Sequence, residues 1–132
     1  MAHTVLVVDD DPRILRVLSS YLASDGYVVI TADGGESARL EFSQYKFDVV
    51  ILDLMMPDMD GLSLCRWVRA QESFGKVPIL VFTARDDMKA LREATAAGAT
   101  AFIPKPFSLS GLSEAVAKAL TLNSRDTGNP PF

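Results

Sequence analysis

Five polar side chains stand where apolar segments of this chain end, and together they could do chemistry. They are Asp9, Asp10, Asp53, Thr83 and Lys105. Two carboxylates about 4 Å apart repel by roughly 4 kcal/mol at an effective dielectric constant of about 20, so a cluster of carboxylates calls for positive charge. The three carboxylates sum to −3, and Lys105 with one divalent cation would supply +3. Oxygen ligands favour Mg²⁺, whereas a single histidine and a single cysteine are too few for the usual zinc ligands.

A carboxylate beside Mg²⁺ and a lysine is suited to phosphoryl transfer. The transferred group passes through a loose, in-line transition state, and positioned cations and hydrogen-bond donors stabilise the charge on its equatorial oxygens. Asp53 as nucleophile would form an aspartyl phosphate, while Lys105 and the Thr83 hydroxyl would each meet an oxygen. Taken alone, each residue has an ordinary interpretation as a loop or strand residue. Only their joint placement favours this chemistry.

Alternating strands and helices must bring these residues together. Short apolar runs predict strands buried on both faces, as in a parallel sheet; they are residues 5–8, 28–30, 49–52, 79–82 and, more weakly, 101–103. Helical spacing appears at residues 14–22, 38–42, 62–68, 91–97 and 112–120. The pattern predicts an α/β fold of the (βα)5 type. Right-handed crossovers place the carboxyl ends of all the strands at one edge, where open sheets hold ligands.

Length and composition indicate one domain without a basis for binding nucleic acid. The chain has 132 residues, with 13 Lys and Arg against 17 Asp and Glu, for a net charge of −4. Its single cysteine forms no internal disulfide, its first residues lack a signal peptide's basic region, and no apolar stretch approaches the roughly 18 residues of a membrane span. We expect a cytoplasmic protein with a domain over residues 1–122 and a polar, disordered tail over residues 123–132.

Four motifs contain the residues singled out above: residues 7–12 (VVDDDP), 52–61 (LDLMMPDMDG), 82–84 (FTA) and 105–107 (KPF). Together they resemble the receiver domain of two-component response regulators, and the resemblance covers residues 4 to about 121. It implies a flavodoxin-like, doubly wound parallel sheet of five strands in the order 2-1-3-4-5. It also implies a signalling module rather than an enzyme. Asp53 would take its phosphoryl group from a phosphohistidine on a sensor histidine kinase or a histidine phosphotransfer protein.

The resemblance further implies a role for individual residues. Asp10, Asp53 and the carbonyl of Met55 would bind Mg²⁺ directly, and Asp9 would act mainly through water. Lys105 would pair with the phosphoryl group, and the bond between Lys105 and the following proline would be cis.

The resemblance also implies a switch and an output surface. Thr83 would be drawn toward the phosphoryl group and the Phe102 ring would rotate inward behind it, although Phe102 taken alone is an ordinary strand core residue. The output face would comprise the fourth helix, fifth strand and fifth helix, including Lys89, Arg92 and Phe102. It would serve either a homodimer or a separate protein target, and the sequence does not choose between them.

Three other functions stay open on the sequence. A flavin-binding flavodoxin needs phosphate-binding donors in its first loop, where this chain has aspartates that repel an anion in the absence of metal. A Mg²⁺-dependent phosphohydrolase working through an aspartyl phosphate commonly has a second acid two residues after the nucleophile, where this chain has Met55. A pseudo-receiver would have the fold without phosphorylation, but all of the predicted site residues are present.

We predict slow self-dephosphorylation. Met55 and Arg85 follow Asp53 and Thr83 by two residues, at positions that tune phosphoryl lifetime in similar domains. The apolar Met55 cannot orient an attacking water by hydrogen bonding, and Arg85 can shield the site. Decay of the phosphorylated protein on a phosphate-affinity gel should have a half-life of minutes or longer. A half-life of seconds would contradict this prediction.

Overall fold

The computed structural model describes residues 2–54, 61–84 and 87–126, except the side chains of residues 84 and 122–126. Strands and helices alternate along these residues, as the apolar pattern predicts. The strands are β1 (Thr4–Val8), β2 (Val28–Ala32), β3 (Val49–Asp53), β4 (Ile79–Ala84) and β5 (Ala101–Lys105). The helices are α1 (Pro12–Ser24), α2 (Gly35–Gln44), α3 (Gly61–Arg69), α4 (Met88–Ala97) and α5 (Leu109–Asp126).

All strand pairs are parallel, and the sheet has the order β2-β1-β3-β4-β5. The predicted flavodoxin-like order is therefore confirmed. The central strands β1, β3 and β4 carry continuous apolar runs because helices cover both of their faces. One core layer lies between the sheet and the helices α2, α3 and α4, and the other lies between the sheet and the helices α1 and α5.

Strand pleating decides which polar residues share a face. Successive side chains alternate between the two layers, so residues two apart lie on the same side. The layer under α1 and α5 contains Val7 of β1, Ile51 of β3 and Ile103 of β5. Two residues further along come Asp9, Asp53 and Lys105, which this parity assigns to the same side. Asp9 extends the β1 ladder because its N–H donates to the Ala32 carbonyl at 3.1 Å.

Short polar residues begin the helices that flank the site. Asp11 is the N-cap of α1 and accepts a hydrogen bond from the Arg13 backbone N–H, with Pro12 in the first turn. The hydrogen bond from the Arg13 side chain holds the pKa of Asp11 below its ordinary value. At the start of α5, Ser108 accepts from the Gly111 N–H at 3.0 Å. Aspartate and serine are among the residue types that the N-cap position favours.

The last helix continues past the predicted domain boundary. Helix α5 ends at Asp126, four residues beyond residue 122, where we expect the domain to end. These four residues lack apolar periodicity, but they contain no glycine or proline to interrupt the helix. Residues 127–132 lie outside the described residues. None of the helices in the described ranges has the length and apolar character needed to span a bilayer.

Arg69 ties together the loops at the amino edge of the sheet, opposite the strand ends that carry the aspartates. Its Nε donates to the Gly98 carbonyl at 2.9 Å, and its Nη1 donates to the carbonyls of Gly75, at 2.9 Å, and Val77. Its Nη2 lies 3.3 Å from the Thr100 hydroxyl. One guanidinium therefore joins the end of α3 to the loops that precede β4 and β5.

Replacing Arg69 with methionine should lower the free energy of unfolding by about 2–4 kcal/mol, because the carbonyls lose charged donors while the apolar stem is kept. Urea denaturation measures this change. The matched control is Arg66→Met, at an exposed position on the same helix, which should change stability by no more than about 0.5 kcal/mol. Equal losses in the two variants would contradict a clamping role for Arg69.

Candidate functional site

An acidic cavity lies at the carboxyl edge of the sheet. Its volume is about 500 Å³, and its lining is Asp9, Asp10, Asp11, Ile14, Asp53, Lys105, Pro106 and Phe107. Segments far apart in the sequence meet here because β1, β3 and β5 all end at this edge. The predicted convergence of Asp9, Asp10, Asp53 and Lys105 is thus what the structure shows.

The three carboxylates are close enough to share one cation. One oxygen from each of Asp9, Asp10 and Asp53 lies within 4.8 Å of the others. Oxygens bound to the same Mg²⁺ are at most about 4.2 Å apart, twice the usual metal–oxygen distance. The spacing therefore fits a set in which some oxygens contact the ion and others reach it through water.

Asp9 is the most buried member of the cluster. It is 1% exposed, and its Oδ1 accepts a hydrogen bond from the Asp11 N–H at 2.9 Å. Within the described part of the chain, no donor reaches its buried Oδ2. Desolvation is the main cause that raises the pKa of Asp9, and the negative charges of Asp53 and Asp10 add to it against the backbone hydrogen bond and Lys105. A buried carboxylate oxygen without a donor is a fitting ligand, direct or through water, for a cation.

Lys105 places a positive charge beside Asp53. Its Nζ lies 3.2 Å from Asp53 Oδ2, and the two side chains are 40% and 14% exposed, respectively. The peptide bond between Lys105 and Pro106 is cis, as predicted. The same ammonium lies 5.4 Å from the centroid of the Phe82 ring. The Asp53 carboxylate is therefore flanked by acids on one side and by an ammonium on the other.

Thr83 lies near the carboxyl end of β4, and Phe102 is the second residue of β5; both are on the face of the sheet opposite the acidic cavity. Thr83 is 7% exposed and does not line the acidic cavity. Val81, two residues before Thr83, belongs to the layer under α2, α3 and α4, and the half-buried Phe102 packs against that layer. Because Phe102 pairs with Val81 across β4 and β5, Thr83 and Phe102 are near neighbours on one face. Met55 and Arg85 lie outside the described residues.

Sequence reasoning assigned no role in the site to Phe82. The Phe82 ring lies under Lys105 and stacks on Phe107, with ring centroids 4.9 Å apart. The alternation of side chains along β4 could have placed Phe82 on the face of the sheet that carries the site, because Phe82 shares that face with Leu80 and Ile51. Using that signal requires the register between β3 and β4, which the sequence pattern does not specify.

The chain matches the response regulator receiver domain family over residues 5–117. This chain belongs to the response regulator receiver family. The receiver chain is 39% identical to the response regulator MprA of Mycobacterium sp. (strain KMS) over 128 residues, which are 97% of this chain and 55% of MprA. The chain spans about half, or less, of the length of the first curated relatives it matches.

Two solved structures agree with this family. A response regulator from Chloroflexus aurantiacus J-10-fl has a TM-score of 0.87 and 35% identity, with 92% of this chain and 99% of that chain covered. The receiver domain of the sensor histidine kinase PA1611 from Pseudomonas aeruginosa PAO1 has a TM-score of 0.83 and 28% identity, with 92% and 99% covered. That structure has a magnesium ion coordinated in its active site cleft.

The family settles the class of function. The chain is homologous to CheY-like phosphoacceptor modules of two-component systems, so the sequence-based prediction of a signalling receiver domain is confirmed. Receiver domains bind Mg²⁺ at an acidic site, and those of response regulators work with histidine kinases. Membership of the receiver family favours a signalling function over that of a flavin-binding flavodoxin or of a phosphohydrolase that acts on free substrates.

Asp9→Asn should stabilise the metal-free protein at pH 7 by about 1–3 kcal/mol, because it removes a buried negative charge near two other carboxylates while it keeps the oxygen that accepts the Asp11 N–H. Since the fold raises the pKa of Asp9 above its ordinary value of 3.8, the folded state holds this proton more tightly than the unfolded chain. The contribution of protonated Asp9 to the free energy of unfolding is therefore fully present below about pH 4. It is lost as the pH rises through the pKa of Asp9 in the folded protein.

The difference between Asp9→Asn and wild type should thus shrink as the pH falls toward 4. Urea denaturation between pH 4 and pH 7 in the presence of EDTA measures it. Asp10→Asn, at the exposed neighbouring carboxylate, should give a smaller gain. A loss of stability in Asp9→Asn at pH 7 would show that the buried charge is compensated without a metal.

Proposed function

We propose that Asp53 accepts a phosphoryl group from a phosphohistidine on a sensor histidine kinase or a histidine phosphotransfer protein, in a reaction that requires Mg²⁺. The observation that carries the proposal is that Asp53 shares a cluster with Asp9 and Asp10 while its Oδ2 lies 3.2 Å from the Lys105 ammonium. A carboxylate flanked in this way can approach an anionic phosphoryl group that it would otherwise repel.

Asp9, Asp10, Asp53 and the Met55 carbonyl are the residues proposed to hold Mg²⁺. The buried Oδ2 of Asp9 and the spacing of the carboxylates support the first three, and the resemblance to receiver domains supports Met55. The magnesium ion in the PA1611 receiver domain supports the choice of metal. When bound, Mg²⁺ neutralises charge on the phosphoryl oxygens.

In the proposed reaction, an Asp53 carboxylate oxygen attacks phosphorus in line with the leaving imidazole. The phosphorus–oxygen bond forms as the phosphorus–nitrogen bond of the donor breaks, and the electron pair of that bond leaves with the imidazole. The Lys105 ammonium stays beside the new acyl phosphate, because its Nζ already donates to Asp53 Oδ2. The Thr83 hydroxyl, at the end of the adjacent strand β4, donates to a remaining phosphoryl oxygen.

The same proposal covers the switch and its output. Thr83 and Phe102 share the face under α2, α3 and α4, so movement of Thr83 toward the phosphoryl group opens space that Phe102 can fill. The surface that changes comprises α4, β5 and α5, with Lys89 and Arg92 exposed on α4. Its partner is a second copy of the chain or a separate protein target. The net charge of −4 favours a protein over nucleic acid as partner.

The proposal also concerns the extent and location of the domain. We propose a receiver domain over residues 1–122, which contains the family match at residues 5–117, and a polar tail over residues 123–132, into which α5 continues as far as Asp126. A cytoplasmic location is proposed because it is typical of response regulators.

Incubation with acetyl phosphate and Mg²⁺ should attach one phosphoryl group per chain, visible on a phosphate-affinity gel and by mass spectrometry. Asp53→Asn should abolish the modification, and chelation of Mg²⁺ should reduce it strongly. The matched control is Asp48→Asn, directly before the other end of β3, where the carboxylate accepts the Thr4 N–H at 2.8 Å. That variant should be phosphorylated like wild type.

Each alternative function predicts a different result in this experiment. Repeated turnover of small phosphate esters would indicate a phosphohydrolase. Folded wild-type protein that gains no phosphoryl group with Mg²⁺ would indicate a pseudo-receiver and contradict the proposal.

A further inference from the structure

Phe82 lies beneath the Asp53–Lys105 ion pair. Across β3 and β4 it pairs with Asp53, and across β4 and β5 it pairs with Ile103, two residues before Lys105. Residues paired in a parallel sheet lie on the same face, so Phe82 stands between the stems of Asp53 and Lys105. Its ring is 1% exposed.

The Phe82 ring contacts both a cation and a second aromatic ring. Lys105 Nζ lies 5.4 Å from its centroid, within the range in which a cation is attracted to an aromatic face. Phe107 stacks on the same ring at a centroid distance of 4.9 Å and an interplanar angle of 28°. Phe107 and the surrounding core thus hold the Phe82 ring where the ammonium meets it.

This contact addresses a difficulty that the ion pair alone leaves. Lysine has a flexible four-carbon stem with high rotamer entropy, and the Lys105 side chain is 40% exposed, so its ammonium has many competing positions in water. The negative face of an aromatic ring favours positions near Asp53. A buried aliphatic side chain would exclude water equally well, but it would lack this electrostatic attraction.

We propose that Phe82 is a positioning residue that holds the Lys105 ammonium at Asp53 for phosphoryl transfer. The proposal rests on the proposed function for its kinetic consequence. Phe82 acts through Lys105 rather than on the phosphoryl group itself, so its effect depends on the presence of the lysine.

A double-mutant cycle tests this dependence. With acetyl phosphate and Mg²⁺, Phe82→Leu should slow phosphorylation by about 3- to 10-fold, the range expected for loss of a partly buried cation–π contact. In a Lys105→Met background the same Phe82→Leu change should have no further effect on the rate. If Phe82 only fills the core, the rate should fall by the same factor in both backgrounds, and that result would overturn the proposal.

A matched control separates positioning from stability. Phe42→Leu removes a phenylalanine that is 6% exposed in the other core layer, far from Lys105. It should lower the free energy of unfolding about as much as Phe82→Leu without changing the phosphorylation rate. Phe82→Met replaces Phe82→Leu if the leucine variant does not fold, with the same expected coupling to Lys105.

A measurement without phosphorylation keeps this inference distinct from the proposed function. In the wild-type protein, ring currents should shift the Lys105 ε-methylene protons upfield in NMR spectra, and Phe82→Leu should remove most of that shift. Unshifted protons in the wild type would overturn the positioning role. A wild-type protein with shifted protons that accepts no phosphoryl group would contradict the proposed function while leaving the contact between Phe82 and Lys105 in place.

Discussion

Repulsion among Asp9, Asp10 and Asp53 is the constraint on which the rest of the site depends. The parallel sheet gathers them at one edge, where the Lys105 ammonium offsets only one of three charges. Burial adds to the cost at Asp9, because water is excluded from an oxygen that finds no donor among the described residues. An arrangement that weakens the fold in this way is typical of a functional site, since stability alone would favour apolar or paired residues there.

The stabilising parts of the molecule lie away from this edge. The strands β1, β3 and β4 bury apolar side chains on both faces, and Arg69 joins loops at the opposite end of the sheet through carbonyl oxygens. The aspartates can therefore crowd together because the core under them is already well packed. The aromatic pair of Phe82 and Phe107 connects the two regions, since both rings pack in the core and Phe107 also lines the cavity.

Adjacent residues of β4 connect the two faces of the sheet. Phe82 lies on the side of Asp53 and Lys105, and Thr83 lies on the side of Phe102. The proposed switch would use this adjacency, because an effect of phosphorylation on Thr83 would reach the opposite layer within one strand. Strand pleating makes this possible because neighbouring side chains point to opposite faces while their backbones move together.

The sequence by itself determined the order of strands and helices, the caps at Asp11 and Ser108, and the edge at which Asp9, Asp10, Asp53 and Lys105 meet. Periodicity, residue type and the handedness of crossovers are properties that a short stretch of chain carries locally. The sequence pattern did not predict the helical conformation of residues 123–126, because these polar residues have no apolar periodicity. Only the tertiary structure decided three features of the site. They are the 3.2 Å distance between Lys105 Nζ and Asp53 Oδ2, the burial of Asp9 Oδ2 away from any donor among the described residues, and the place of Phe82 beneath Lys105. These depend on strand register and on packing between segments distant in the chain, which no local pattern specifies.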